Sequence, residues 1–227
     1  MNKNIIKINF IASKSSGEVS GIVTLPEKPN IFLVLAHGAG ADMNHSFMKT
    51  ISDYLADEGI AVLRYNFPYT ENKRKRPDFT PVLIETVRSA VNAAKQFSKD
   101  IPLIAGGKSM GGRMTSTAAS KKPLEGVSGI VFFGFPLHPA GSPSVERSEH
   151  LFEVKIRMLF LQGSRDKLAE LNLLTPVIKK LGDKASLQII DGADHSFHML
   201  KSAGVGNDEI IRTLAKKVKA WTSLLNT

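Results

Sequence analysis

The chain has 227 residues, 42% of them hydrophobic, with 30 basic against 21 acidic side chains, a net charge of +9, and no cysteine. That length and apolar content suffice for one substantial core, and no linker-like tract divides it, so a single domain spanning 1–227 is expected. The missing thiol excludes disulfides, thiolate metal sites and a cysteine nucleophile.

Along the chain, apolar runs of strand length alternate with segments of helical period. Met1 to Ala12 alternates polar with apolar residues and lacks the continuous apolar centre of a signal peptide, so a cytoplasmic protein is expected. Strands are expected at Ile5 to Ile11 and Val19 to Leu25, joined by the polar turn Ser13 to Gly17 into an antiparallel hairpin. Ile31 to Ala36 follows as a continuous apolar run, then a helix carrying Phe47, Met48, Ile51 and Leu55 that stops at Gly59, then a strand over Ala61 to Tyr65. Thr80-Pro81 opens a helix with Val87, Val91 and Ala94 on one face. Leu103 to Gly106 and Gly129 to Phe135 are strands, with a helix from Arg113 to Ala119 between them. Ile156 to Gln162 is the seventh strand. A helix bearing Leu171, Leu174, Val177, Ile178 and Leu181 follows, with Pro176 as its true start or a kink. Ser186 to Ile190 is the last strand, and a helix opening at Asp208 puts Ile210, Ile211, Leu214, Val218, Trp221 and Leu225 on one face, the tryptophan as core. This alternation predicts an α/β fold: a mostly parallel sheet of about eight strands with helices on both faces. The longest apolar stretches fall far short of the ~20 residues of a membrane-spanning helix, so no membrane partner is expected.

The segment Gly106-Gly107-Lys108-Ser109-Met110-Gly111-Gly112 puts one serine between small residues where a buried strand turns into a helix. Gly107 and Gly111 allow the sharp turn and close packing that leave the Ser109 hydroxyl exposed at its tip. In an open parallel sheet, ligands bind at the carboxyl ends of the strands, so the loops there are the ones to inspect. They carry His37-Gly38-Ala39-Gly40, Ser109, Gly163-Ser164-Arg165-Asp166 and Asp191-Gly192-Ala193-Asp194-His195-Ser196. A serine hydroxyl becomes a competent nucleophile near neutral pH when an imidazole accepts its proton, and a carboxylate must orient that imidazole. His195 is the candidate base and Asp166 the candidate acid, preferred over Asp194 because adjacent residues in a tight loop seldom orient each other. The amides of Ala39 and Met110 are the natural oxyanion donors, and His37 shapes its loop rather than reacting.

Phe67, Tyr69, Phe135, Leu137 and Phe197 follow strands at the reactive edge and form either an apolar acyl pocket or part of the core. His45, His138, His150 and His198 lack metal-ligand spacing and read as surface or loop histidines, so no metal and no cofactor are expected. The run Lys73-Arg74-Lys75-Arg76 reads as a solvated loop. If it overhangs the site, it favours a substrate bearing carboxylate or phosphate. No nucleic-acid-binding signature accompanies it. The connection between the sixth and seventh strands, restricted by Pro136, Pro139, Gly141 and Pro143, is expected to be short and to leave the site open, with no cap domain.

The segments Ala36 to Gly40, Arg64 to Tyr69, Gly106 to Arg113, Gly134 to Pro139, Leu161 to Asp166 and Asp194 to Phe197 resemble, in order and spacing, a minimal α/β-hydrolase of the dienelactone-hydrolase-like group. The likeness is strongest to a small subfamily with an AHGAG loop and a GGKSMGGR elbow. The chain order Ser, Asp, His is that of the α/β-hydrolase triad. The resemblance implies a serine hydrolase of carboxylic ester or thioester bonds, acting through Ser109, His195 and Asp166 on a small molecule. It departs from dienelactone hydrolases proper, which use cysteine as nucleophile. Eukaryotic relatives of the subfamily include a subunit of the NSL histone-acetyltransferase complex, so the alternative implied is a catalytically weak interaction module on the same fold.

Overall fold

Residues 31–36 are buried at every position, which a strand achieves when both faces of its sheet are covered. Their side chains alternate. Phe32, Val34 and Ala36 join one apolar cluster, and Ile31, Leu33 and Leu35 join the other.

The structure, a computed structural model, describes residues 2–99 and 101–225. Strands β1 (Lys3–Ser13) and β2 (Gly17–Pro26) precede β3 (Ile31–Ala36), α1 (Ser46–Asp57) and β4 (Ile60–Tyr65). A short α2 (Pro68–Glu71) and a long α3 (Thr80–Ser98) lead to β5 (Leu103–Lys108), α4 (Met110–Lys121) and β6 (Val127–Phe133). After a 3₁₀ segment, Glu146–Glu153, come β7 (Arg157–Gly163), α5 (Leu171–Leu181), β8 (Ala185–Ile190) and α6 (Asn207–Thr222). The eight strands form one sheet in the order β1-β2-β4-β3-β5-β6-β7-β8. The β1–β2 and β2–β4 pairs are antiparallel, and every pair from β4 to β8 is parallel.

Helices α1 and α6 cover one face through Phe47, Ile51 and Leu55 and through Leu214, Val218 and Trp221. The other face is covered by α3, α4 and α5, with Val87, Met114 and Leu174 among the buried contacts. Each such side chain contributes roughly 1.5–3 kcal/mol of burial, so the apolar stripes read from sequence are what hold the helices on the sheet. Among the described residues, no helix is long and apolar enough to cross a membrane.

Two expectations need correcting, and one alternative, at Pro176, is decided. The sixth strand ends at Phe133, because Gly134 adopts φ +72° and turns the chain. Pro176 lies inside α5 and does not start it. The connection from β6 to β7 occupies residues 134–156, is not short, and packs its 3₁₀ segment beside α4 through buried Leu151.

Candidate active site

Strand β5 passes into α4 with a single residue between them, Ser109. Its backbone sits at φ 49°, ψ −115°, a conformation that costs on the order of 1–3 kcal/mol for a residue with a Cβ. The packing around it enforces that geometry. A Cβ on Gly107 would lie 2.5 Å from the Ala36 carbonyl oxygen, and one on Gly111 would lie 2.4 Å from it and 2.5 Å from that of His37. The glycines therefore let the turn close against the end of β3.

His195 stands in the loop after β8. The carboxylate of Asp194 accepts the amides of Ser196 and His198, each at 2.8 Å, which tightens the loop and leaves Asp194 serving the backbone. The loop is tied to the end of β7: Arg165 N–H donates to Ala193 O at 2.9 Å, and the Arg165 guanidinium to Gly192 O at 2.9 Å. The close approach needs Gly163, where a Cβ would meet Ala193 O at 2.3 Å.

These loops bring the three sequence-predicted residues together. His195 Nε2 lies 2.8 Å from Ser109 Oγ, and His195 Nδ1 lies 2.6 Å from Asp166 Oδ2. A carboxylate only accepts, so Nδ1 carries the hydrogen and Nε2 is free to accept from the serine hydroxyl. Asp166 is 2% exposed, and three donors hold its carboxylate: His195, the Leu168 amide at 2.7 Å, and the side-chain amide of Gln162. Gln162, itself buried, also accepts the Phe135 amide at 3.0 Å, so one side chain fixes both the acid and the start of the β6–β7 connection. Sequence reasoning did not single it out, although a polar residue ending the apolar run of β7 was the available signal.

The Gly38 loop passes close to the serine, since a Cβ on Gly38 would lie 3.6 Å from Ser109 Cβ. The loop is braced by buried His37, whose Nδ1 donates to Gly38 O at 2.8 Å while Nε2 accepts the Phe67 amide at 3.2 Å. Burial pushes the His37 pKa down to about 4, so the ring is neutral and shapes the loop. Among the described residues, the Ala39 amide takes no part in the turn and loop hydrogen bonds. The Met110 amide opens α4, where N–H groups have no intrahelical acceptor.

Lys108 completes this arrangement from the other side. Its ammonium donates to the His195 carbonyl at 2.7 Å and lies 5.5 Å from the centre of the Phe197 ring and 6.0 Å from that of Phe47. Burial pushes its pKa down to about 8, against the opposing pull of Asp166 and Asp194.

Two cavities of about 500 Å³ each meet at Ser109 and Ala39. One lies towards α1 and α6 and is lined by Phe47, Lys108, His195 and Phe197. The other lies towards α3, α4 and the β6–β7 connection and is lined by Met110, Arg113, Met114, Pro136 and Arg147. Phe197 thus borders a cavity beside Ser109. Tyr69 borders an adjoining cleft, whereas Phe67, Phe135 and Leu137 are fully buried and line none of these spaces. The reason is local. The chain turns into α2 at Pro68 and turns again at Gly134, and Phe67, Phe135 and Leu137 join the apolar cluster that α3, α4 and α5 cover. Lys73, Arg74 and Lys75 line the adjoining cleft, which shares Ala41 and His45 with the lysine-side cavity.

The histidines divide. His45 caps α1 by accepting the Phe47 amide, and His198 is exposed. His138 is not a surface residue: it is fully buried, between Pro139 O and the Glu170 carboxylate. His150 is half-buried against Ser116 Oγ at 2.7 Å. Among the described residues, no group of three or more His, Asp or Glu side chains is placed to hold a metal ion.

A parallel sheet with a serine at the β5–α4 turn, bonded to an imidazole after β8 and through it to a carboxylate after β7, is the framework of an α/β hydrolase. The alpha/beta hydrolase domain family matches residues 29–223, and the chain belongs to that family. Two curated relatives, from two strains of Mycobacterium tuberculosis and each named "Putative phosphoribosyl transferase", are 26% identical over 184 residues, 79% of this chain and 39% of theirs. The chain thus spans about two fifths of the length of those relatives. Among solved structures, the dienelactone hydrolase of Anabaena variabilis is similar with a TM-score of 0.76 at 19% identity, covering 97% of each chain. XC6422 of Xanthomonas campestris, a member of the a/b serine hydrolases without lid, gives 0.70 at 18% identity, over 94% of this chain and 96% of that one. Est1E of Butyrivibrio proteoclasticus with ferulic acid bound gives 0.73 at 13% identity, over 95% and 98%. At these identities the likeness is one of fold.

Proposed function

We propose that this protein is a serine hydrolase of carboxylic ester or thioester bonds, acting on a small molecule within this one domain. The observation that carries the reading is the hydrogen-bonded chain from Ser109 Oγ through His195 to Asp166, at 2.8 Å and 2.6 Å. Ser109 Oγ attacks the acyl carbon while its proton passes to His195 Nε2. The imidazolium that forms is stabilised by Asp166, and His195 returns the proton to the leaving alcohol or thiol as its bond to the acyl carbon breaks. Water, deprotonated by the same nitrogen, then releases the acid and restores Ser109. Base catalysis of this kind supplies about 10²- to 10⁴-fold. The amides of Ala39 and Met110 receive the negative oxygen of the tetrahedral intermediate, each worth about 2.7–4 kcal/mol. These residues carry every step without a cofactor.

The test is hydrolysis of 4-nitrophenyl butyrate by the purified protein. Turnover that falls at least about 10³-fold in Ser109→Ala is expected. Absence of turnover by the unaltered protein would favour the interaction-module reading, and undiminished turnover by Ser109→Ala would place the chemistry elsewhere.

A further inference from the structure

The cavity on the α4 side of Ser109 is lined by two arginines and one carboxylate, Asp78, and among the described residues neither arginine is ion-paired. Arg113 lies in the first turn of α4 and Arg147 in the 3₁₀ segment, and both line the space with Ser109 and Met110. The Nε of Arg113 is buried without a hydrogen-bond partner among the described residues. Neither side chain meets a carboxylate within ion-pair distance among those residues, and neither donates to a hydrogen bond. Other arginines of the chain are engaged: Arg74 pairs with Asp78, and Arg88 donates to the carbonyls of Ala118, Lys122 and Pro123.

Asp78, the carboxylate that lines the cavity, is already committed, and so is Glu170, which meets the lining residue His138. Asp78 accepts the Tyr69 amide at 2.7 Å and the Arg74 guanidinium, and Glu170 accepts from His138. Burial, and then the charge of Arg147, lower the pKa of Arg113, which places the two like charges within each other's field. Half-buried like charges beside an unpaired donor are unfavourable in the empty protein and become favourable when an anion sits between them. Guanidinium forks match the planar oxygens of carboxylate and the oxygens of phosphate.

We propose that Arg113 and Arg147 form an anion subsite of the active site, binding a carboxylate or phosphate group carried by the ester or thioester substrate while its acyl carbon lies at Ser109. This rests on the hydrolase reading above and specifies its substrate class. The Lys73–Lys75 cleft shares no lining residue with this cavity and does not reach Ser109, so the proposal makes the two arginines, and not the exposed basic run, the source of selectivity.

Two matched pairs test it at low ionic strength. 4-Nitrophenyl hemiglutarate against 4-nitrophenyl valerate places the charge on the acyl side, and 4-acetoxybenzoate against its methyl ester places it on the leaving group. The expected result is a higher kcat/KM for the anionic member of at least one pair. That ratio falls about tenfold or more in Arg147→Gln and in Arg113→Gln, is partly kept in Arg147→Lys, and survives Lys73→Glu/Lys75→Glu. Ser109-dependent turnover of the valerate with no anionic preference, or with a preference indifferent to both arginine variants, overturns the subsite while leaving the hydrolase reading intact. If no ester is turned over, the hydrolase reading fails, and titration decides the subsite alone. Glutarate or inorganic phosphate binding to the unaltered protein and weakened in Arg147→Gln supports it, the better ligand identifying the group. No binding of either overturns it.

Discussion

The two cavities that meet at Ser109 have similar volumes, and their cationic groups are used in opposite ways. On the α6 side, Lys108 spends its ammonium on the His195 carbonyl, so its charge is part of the scaffold that aims the imidazole. On the α4 side, the guanidinium groups of Arg113 and Arg147 have no hydrogen-bond or ion-pair partner among the described residues. A cation bonded to the backbone holds a loop in place, and one left unbonded at a cavity wall is available to a ligand. Altering Lys108 should therefore slow every substrate, whereas altering an arginine should discriminate among them.

The partition between the cavities is the β5–α4 turn, and breaking it should produce the largest effect. A Cβ at Gly111 falls 2.4 Å from backbone, which cannot move aside as a side-chain tip can. Gly111→Ala is expected to lose about 4 kcal/mol or more of stability in urea unfolding, or to fail to fold. A loss under 1 kcal/mol would mean that the turn relaxes freely.

Lys108→Met sharpens the contrast from the other side. Without the ammonium the His195 loop loses the anchor at His195 itself, and kcat is expected to fall about 10²-fold for neutral and anionic esters alike, with KM little changed. The same variant has a pH signature. The folded protein gives up the Lys108 proton near pH 8, below the ordinary lysine value, so the unfolded chain binds more protons between those limits. The unaltered protein should therefore gain stability relative to Lys108→Met as pH rises above about 8. A relative loss over that range would reverse the sign of the argument.

Both cavities share the Gly38 loop, and His37 braces it in the neutral form. Its folded pKa of about 4 lies below the ordinary 6.5, so its contribution is complete above 6.5 and declines as pH falls towards 4. Calorimetry should find about 2 kcal/mol less stability at pH 5 than at pH 7 from this group, a difference much reduced in His37→Asn. The smallest effect is expected at Gln162→Leu, which strips one donor from Asp166 and leaves the buried Phe135 amide without its acceptor. A fall of about tenfold in kcat/KM is expected, measured on the neutral ester.

Most of the framework was legible in the sequence because it rests on period and punctuation. All eight strands appear where apolar runs stand between turn residues, and Ser109, Asp166 and His195 sit in the loops at their carboxyl ends. What escaped was decided by tertiary turns. Phe135 and Leu137 look like rim residues by position, but Gly134 turns them inward, and no periodic pattern reports that. The 3₁₀ segment holding Arg147 has no sequence period long enough to read, so its place beside Ser109 was invisible. Lys108 was legible in principle. Strand alternation puts it on the same face as Ile104, which packs under α1 and α6.

The central claim is that Ser109 is a nucleophile made reactive by His195 and Asp166, and covalent labelling tests it most directly. After incubation with a fluorophosphonate, intact-mass and peptide mass spectrometry should find one adduct, on Ser109, formed at least about 10²-fold more slowly in His195→Ala and absent in Ser109→Ala. An unlabelled Ser109 in the folded, unaltered protein, or labelling at an equal rate without His195, would contradict the account.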